Sequence, residues 1–432
     1  MPIRRRKFLQ SFGSLAGSSL ALPWLHPVFA RNVSEDLKQI RHLNIQESAW
    51  DEDFWALVRQ AYTSSANMVN LNSGGVSPHP KAVQEKVEMY NRFANEAPGY
   101  YMWRVMGKMR SSVRRKLADL AGTSDEEIAL MRSATEALDT AILGIDLKKG
   151  EEILTTDQDY PSMQSALDLR ANREGVKIVR IKLPVPATDP TEIVRRFEEA
   201  ITPKTKVILA CHIIYLTGHI MPIREIAAIA QKHNLQMIVD GAHSFCQLDF
   251  QVPDLGGDYF GTSLHKWLCA PFGTGMLYVK KNKISDLWPM HGYPQEEKEL
   301  ITKFEHLGTR SFPLELAVSD AIDFHNYIGT ARKEARLRYL KEYWTNQVKI
   351  IPNIRFNTSL APEHSCGIAS FLLEGWDPVD LGNELTNNYN IYVTATSHDD
   401  VKGVRISPNV FTSTEELDYL AEIIHKLSKQ KK

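Results

Sequence analysis

Between Glu127 and Lys280, short β-branched or apolar runs alternate with segments of helical periodicity, and this alternation constrains the fold more than any other feature of the chain. The strand candidates are Glu127–Met131, Glu152–Thr155, Val176–Ile181, Lys206–Ile213, Gln236–Val239 and Gly275–Val279. Helical patterns occupy Thr135–Leu147, Pro190–Ala200 and Ile223–His233. Successive βαβ units predict an α/β fold with a mostly parallel sheet, and ligands of such sheets gather outside the carboxyl ends of the strands. From about Glu305 the pattern changes. A long helical stretch, Leu314–Trp344, leads to apolar runs at Gly367–Leu373, Ile391–Thr394 and Gly403–Ser407, then to an amphipathic helix from Thr414.

A chain of 432 residues exceeds what one hydrophobic core organises. The expected division is a leader over 1–30, a segment over 31–70 packing on the smaller domain, a large domain over 71–305 and a small C-terminal α/β domain over 306–432. The Asn-, Ser-, Gly- and Pro-rich stretch Leu71–Pro80 reads as a loop opening the large domain. With a formal net charge of −1 and no dense Lys/Arg stripe after the first residues, the chain offers no broad basic surface, so nucleic acid is not an expected partner. Four scattered cysteines, Cys211, Cys246, Cys269 and Cys366, form no CxxC pair; they read as buried thiols, and no metal site is expected.

The leader has its own message. Arg5-Arg6-Lys7-Phe8-Leu9 is a twin-arginine run, followed by a modest apolar stretch from Ser11 to Leu25 and by Val28-Phe29-Ala30 at a suitable cleavage offset. The stretch is broken by Gly and Ser and is shorter than the roughly 20 residues a bilayer span needs. It reads as a bacterial twin-arginine export signal, with the export machinery as a partner and a periplasmic or otherwise exported destination. That route carries folded proteins, so a cytoplasmic cofactor could be loaded first.

Two segments carry the chemistry. Met237-Ile238-Val239-Asp240-Gly241-Ala242-His243 puts a carboxylate where a buried strand ends, and an unpaired buried charge calls for a cationic partner. Further on, Gly261-Thr262-Ser263-Leu264-His265-Lys266-Trp267 precedes Pro271-Phe272-Gly273-Thr274-Gly275. A lysine in that apolar and aromatic setting is a Schiff-base candidate, since desolvation frees its amine. Arg132-Ser133-Ala134-Thr135-Glu136 lies between a strand and a helix, where backbone N–H groups and the helix dipole converge on one anion site. Ser133 and Glu136 also match a capping box, a reading that needs no ligand.

In combination, Asp240-Gly241-Ala242-His243, Lys266 within His265-Lys266-Trp267, and Gly273-Thr274-Gly275 behind it resemble the class V aminotransferase family of fold-type I pyridoxal 5'-phosphate (PLP) enzymes, in the branch similar to isopenicillin N epimerase. The resemblance runs from Asn72-Ser73-Gly74-Gly75 to Val404-Arg405-Ile406-Ser407-Pro408 and the terminal helix. It implies that Lys266 holds the cofactor as a Schiff base and shuttles the substrate's α-proton. By the same resemblance Asp240 pairs with the pyridine nitrogen, His243 lies near the 3'-oxygen, and Tyr160 stacks on the ring. Ser133, Ala134 and Thr135, completed by Ser263 and His265, cup the phosphate. Thr309, after Gly308, reaches the phosphate of a second subunit, which implies a homodimer. Arg405 clamps the α-carboxylate of a small amino-acid substrate.

Each residue also has a plainer reading: a solvated lysine, a helix-capping aspartate, a satisfied core histidine, a packed tyrosine, an exposed strand arginine. Relatives carry asparagines before Thr-Gly where this chain has Ile213-Ile214-Tyr215-Leu216-Thr217-Gly218, so their contact to the 3'-oxygen is lost or passes to His212 and His243. The stretch Thr394–Gly403 lacks the nucleophilic cysteine of desulfurases. Transamination leads; epimerisation or carbon–sulfur lysis is the alternative, and a non-catalytic binding protein is the competitor from another class. For export, replacing both Arg5 and Arg6 by Lys is expected to strand active enzyme in the cytoplasm, and unaltered periplasmic accumulation on fractionation would refute the signal.

Overall fold

The computed structural model describes residues 44–398 and 401–430. The leader and its export signal lie outside the described residues. In chain order, α1 (Glu52–Gln60) and the short strand β1 (Val69–Asn70) precede two helices, α2 (Lys81–Glu96) and α3 (Gly107–Ala121). The βαβ series follows as β2 (Ile128–Met131), α4 (Ala134–Gly144), β3 (Glu152–Thr156), α5 (Pro161–Glu174), β4 (Lys177–Ile181), α6 (Pro190–Ala200), β5 (Thr205–Cys211), α7 (Ile223–Lys232) and β6 (Gln236–Asp240). Two further strands, β7 (Tyr259–Ser263) and β8 (Gly275–Val279), complete a sheet of order β2-β8-β7-β6-β5-β3-β4, in which β8 alone runs against its neighbours.

Strands buried on both faces must be apolar throughout, and alternate residues must point into different cores. In β5, Val207 and Leu209 enter one cluster with α4 and α5, whereas Ile208 and Ala210 enter the other with α3 and α7. The helices answer with apolar stripes at helical spacing. Ala134, Ala137, Leu138, Ala141 and Ile142 are the buried face of α4, and Ile223, Ile226, Ala227 and Ala230 that of α7.

The C-terminal part contains α8 (Phe312–Ile328), α9 (Thr330–Val348), β9 (Ile354–Phe356), β10 (Ala369–Leu373), α10 (Pro378–Tyr389), β11 (Ile391–Tyr392), β12 (Thr394–His398), β13 (Val401–Ile406) and α11 (Thr414–Leu427). An antiparallel sheet of order β12-β13-β10-β9 packs there against α9, α10 and α11 around Leu340, Trp344, Phe371, Leu381 and Ile424. The N-terminal segment is tied to this region. Trp55 and Val58 of α1 pack with Phe324 and Phe411, and the buried guanidinium of Arg336 joins Glu52 at 2.5 Å to the Thr412 carbonyl at 3.2 Å.

Three elements differ from the expectations. The stretch Leu314–Trp344 is two helices, because Gly329 stands between them at φ 87°, a backbone conformation that residues with a Cβ adopt only under strain. β7 was not among the strand candidates. Gly261 interrupts its aromatic and β-branched pattern, since a Cβ there would lie 2.7 Å from Leu138 of α4. α5 was not anticipated either, and it buries only Met163, Ala166, Leu167 and Arg170, too weak a stripe to read in sequence.

The loop following β1 spans both sheets. β1 pairs in parallel with β11, the Ser73 N–H donates to the Ser407 carbonyl at 3.0 Å beyond β13, and the Ser77 N–H donates to the His265 carbonyl at 3.0 Å beyond β7. Residues from both sheets are thereby drawn to one place.

Candidate active site

The carboxyl ends of β2, β3, β5, β6 and β7 open onto a cavity of about 240 Å³. Its lining includes Ser133, Ala134 and Thr135 after β2, Tyr160 after β3, Cys211 and Tyr215 at the end of β5, Asp240, Ala242 and His243 from β6 onward, and Ser263, His265 and Lys266 from β7 onward. Of the cofactor-site residues named from the sequence, all but Thr309 and His212 therefore meet here. Thr309 is exposed and does not line the cavity of its own chain.

One end of the cavity is built for an anion. Ser133 caps α4 in extended backbone and accepts the Glu136 N–H at 3.2 Å, while the Ala134 N–H donates to Ser263 Oγ at 2.8 Å. The positive end of α4 is thus stitched to β7 beside Thr135. Gly275 permits this approach: a Cβ on it would sit 2.6 Å from the Ser133 nitrogen. The capping box expected from Ser133 and Glu136 is only half made. The Glu136 carboxylate accepts instead from the Arg132 N–H at 2.6 Å and from its guanidinium at 2.7 Å, so an ion pair has displaced the reciprocal bond.

At the centre stand ionisable groups that make no close ion pair. Asp240 ends β6, buried, with Oδ1 accepting the Ala242 N–H at 2.9 Å. Burial pushes its carboxyl pKa up, and the Ala242 N–H and the Lys266 charge oppose that shift. Burial brings the Lys266 amine down to about 8, against the pull of Asp240 and with the help of Arg405. Lys266 Nζ lies 3.4 Å from His243 Nε2 and 5.7 Å from the centre of the Tyr160 ring. His243 is held well below the usual histidine range by burial and by Lys266, and is neutral at neutral pH. His265, lowered by burial, places Nδ1 3.2 Å from the Thr274 carbonyl.

Tyr160 is 42% exposed, and its ring meets Tyr215 edge-on at 5.1 Å. Arg405 projects from β13, where its neighbours across the ladder are Ser370 and Thr394. Its Nη1 donates to the Tyr215 carbonyl at 3.0 Å and its Nη2 to Asn72 Oδ1 at 2.8 Å, while its buried Nε has no partner. Burial lowers the guanidinium pKa to about 10. Among the described residues, Lys266, Arg405 and Asp240 make no ion pair within 4.0 Å. Unpaired buried cations are expensive, and such an arrangement favours an anionic ligand.

Sequence reasoning overlooked several residues that shape this place. Cys211 and Tyr215 line the cavity, Asn72 holds Arg405, and Asp159 anchors the turn carrying Tyr160. One oxygen of Asp159 accepts from Thr155 Oγ1 at 2.7 Å, Thr156 Oγ1 at 2.7 Å and the Thr156 N–H at 2.9 Å. The rule that ligands collect at strand ends would have flagged Cys211 and Asp159. His212, considered beside His243 for the cofactor's 3'-oxygen, faces away. Alternation along the chain turns it toward Phe250, 5.0 Å between ring centres, and burial lowers it to about 3. Cys366 is buried outside the cavity, with Sγ 3.7 Å from the Gln247 carbonyl and its thiol pushed up to about 12 by burial.

Residues 69–420 match the family model described as Aminotransferase class-V. The chain is 27% identical over 391 residues to the isopenicillin N epimerase of Streptomyces clavuligerus, covering 87% of this chain and 98% of the relative. It is 28% identical over 388 residues to a probable cysteine desulfurase of Halalkalibacterium halodurans, covering 83% and 93%. Among solved structures, a C-DES mutant with glycine covalently linked to its PLP cofactor superposes with a TM-score of 0.77 at 21% identity, covering 85% of this chain and 98% of that one. The cysteine desulfurase of Thermococcus onnurineus NA1 gives 0.75 at 21% identity, covering 88% and 98%. The architecture is PLP fold type I.

The residues present fit PLP. A helix N-terminus and Ser263 suit its phosphate, the unpaired Asp240 suits a protonated pyridine nitrogen, and the part-neutral Lys266 suits its aldehyde. Lys266→Ala is expected to abolish borohydride fixation of the cofactor, read from the mass of the peptide carrying position 266. A reduced adduct persisting in that variant would put the attachment elsewhere.

Proposed function

From the premise that the chain belongs to the aminotransferase class-V family and is a PLP-dependent enzyme, we propose that it transaminates a small α-amino carboxylate. The observation that carries the reading is the buried Lys266 amine in the cavity, with the buried Arg405 guanidinium near enough to help lower it and making no ion pair of its own within 4.0 Å among the described residues. PLP, when bound, supplies an electron sink that lowers the cost of breaking a bond at the substrate's α-carbon. Asp240, buried at the base of the cavity, would face the ring nitrogen, and Ser133, Thr135 and Ser263 would hold the anionic end. Arg405 offers its guanidinium fork to the substrate carboxylate, already oriented by Asn72 and Tyr215. Lys266, with an amine brought down to about 8, is a base strong enough to take the α-proton and weak enough to be free for the task. Taking and returning that proton from one side needs no second acid.

A second reading is epimerisation, favoured by Tyr215. Its side chain stands beside Tyr160 in the cavity, and burial pushes the phenol up to about 12, so it stays protonated and able to donate. The similarity to isopenicillin N epimerases supports the same reading. Buried Cys366 gives no support to a cysteine-nucleophile sulfur transfer.

A reactive amino acid supplied without a keto acid is expected to yield one equivalent of its keto acid per site and then stop, and a keto acid should restart turnover. Product mass and chirality decide the matter: continuous formation of D-isomer, or of ammonia, would overturn transamination in favour of epimerisation or elimination. Arg405→Ala should raise KM for α-amino carboxylates by about tenfold or more, as a lost charge-assisted clamp implies, while decarboxylated amines are affected less. Equal losses for both substrate kinds in steady-state kinetics would remove Arg405 from the carboxylate site.

A further inference from the structure

Trp267 follows the cavity lysine and is fully buried. A buried indole N–H needs an acceptor, and Nε1 finds one in His243 Nδ1 at 3.4 Å, with the rings steeply inclined at 65°. The indole is closely packed. Its Cη2 lies 3.3 Å from where a Cβ on Gly367 would stand, and the Trp267 carbonyl accepts from the buried ammonium of Lys333. On the far side of the imidazole, His243 Nε2 faces Lys266 Nζ at 3.4 Å.

An indole N–H donates and never accepts. His243 Nδ1 must therefore carry a lone pair, and a neutral imidazole with an unprotonated Nδ1 bears its proton on Nε2. That proton points at Lys266. A free amine accepts it, whereas an ammonium has only donors to offer and meets a donor. We propose that Trp267 is a positioning residue: by fixing His243 as the Nε2–H tautomer it makes the imidazole a donor to Lys266 and so favours the free amine over the ammonium. The inference rests on Lys266 as the cofactor lysine but not on which reaction follows.

The other groups acting on Lys266 set the scale. Asp240 and Cys211 favour the ammonium and Arg405 disfavours it, while burial disfavours it most. None of these depends on the indole. Trp267→Phe keeps the apolar packing and removes the donor. His243 is then free to take the other tautomer and accept from a Lys266 ammonium, which returns the amine toward its ordinary titration range.

The test uses the full chain in two measurements. In the first, the side-chain nitrogen NMR spectrum of wild-type protein with labelled histidine, assigned by the signal lost in His243→Gln, is expected to show His243 protonated on Nε2 alone at pH 7. An Nδ1-protonated or doubly protonated ring would overturn the proposal without any reference to a Trp267 variant. In the second, the rate at which cofactor-stripped protein recaptures PLP, followed by absorbance across pH, reports the free-amine fraction of Lys266. Trp267→Phe is expected to shift its midpoint upward by about one unit, slowing uptake at pH 7 about tenfold while the high-pH plateau is retained. Slowing by the same factor at every pH would mean a merely structural role, and an unshifted midpoint would sink the proposal.

Discussion

The site depends on charges that the protein alone leaves unbalanced. Asp240, Lys266 and Arg405 are drawn in from water, and among the described residues none finds an opposite charge within 4.0 Å. Hydrogen bonds stand in for ion pairs: the Ala242 N–H for Asp240, Asn72 and the Tyr215 carbonyl for Arg405. Such groups are costly to bury, and binding of ligands of matching charge offsets that cost. The rigid surroundings, two cores of interlocked apolar side chains on the faces of the large sheet, are what keep the groups from turning back to solvent.

Sheet register does the placing. Cys211 pairs with Asp240 and Asp240 with Gly261 across adjacent parallel strands, so one side chain in two is delivered to the cavity at a fixed height. The antiparallel β8 starts at Gly275, paired with both Met131 and Ser263, and so brings the anion-binding end of α4 against the segment that carries the lysine. Gly275 opposite Ser133 and Gly261 opposite Leu138 are bare because a helix passes where a side chain would be.

What the sequence disclosed and what it hid follow from the range of the interactions. Periodicity is local, so the parallel series and its helices were legible, as were Asp240 and Lys266 at strand ends. Gly261 and Gly329 belong to contacts or backbone conformations that local patterns do not encode, and there one strand was missed and two helices were read as one. Side-chain direction past a strand end was likewise unreadable: the chain offered His212, and the fold turns Cys211 inward instead. Asn72 was named only as a motif position, since its bond to Arg405 spans 333 residues of sequence.

That same span bears on how the protein is made. The Leu71 and Ser73 backbone bonds to Ser407, and the Asn72 side chain to Arg405, join one of the first described segments to one of the last. During synthesis the large sheet and its lysine are complete long before β13 leaves the ribosome, at the usual few to twenty residues per second. Throughout that interval the loop that bridges the two sheets has no partner at one of its ends. The contacts that orient Arg405 are therefore among the last to assemble, well after the large sheet and its lysine.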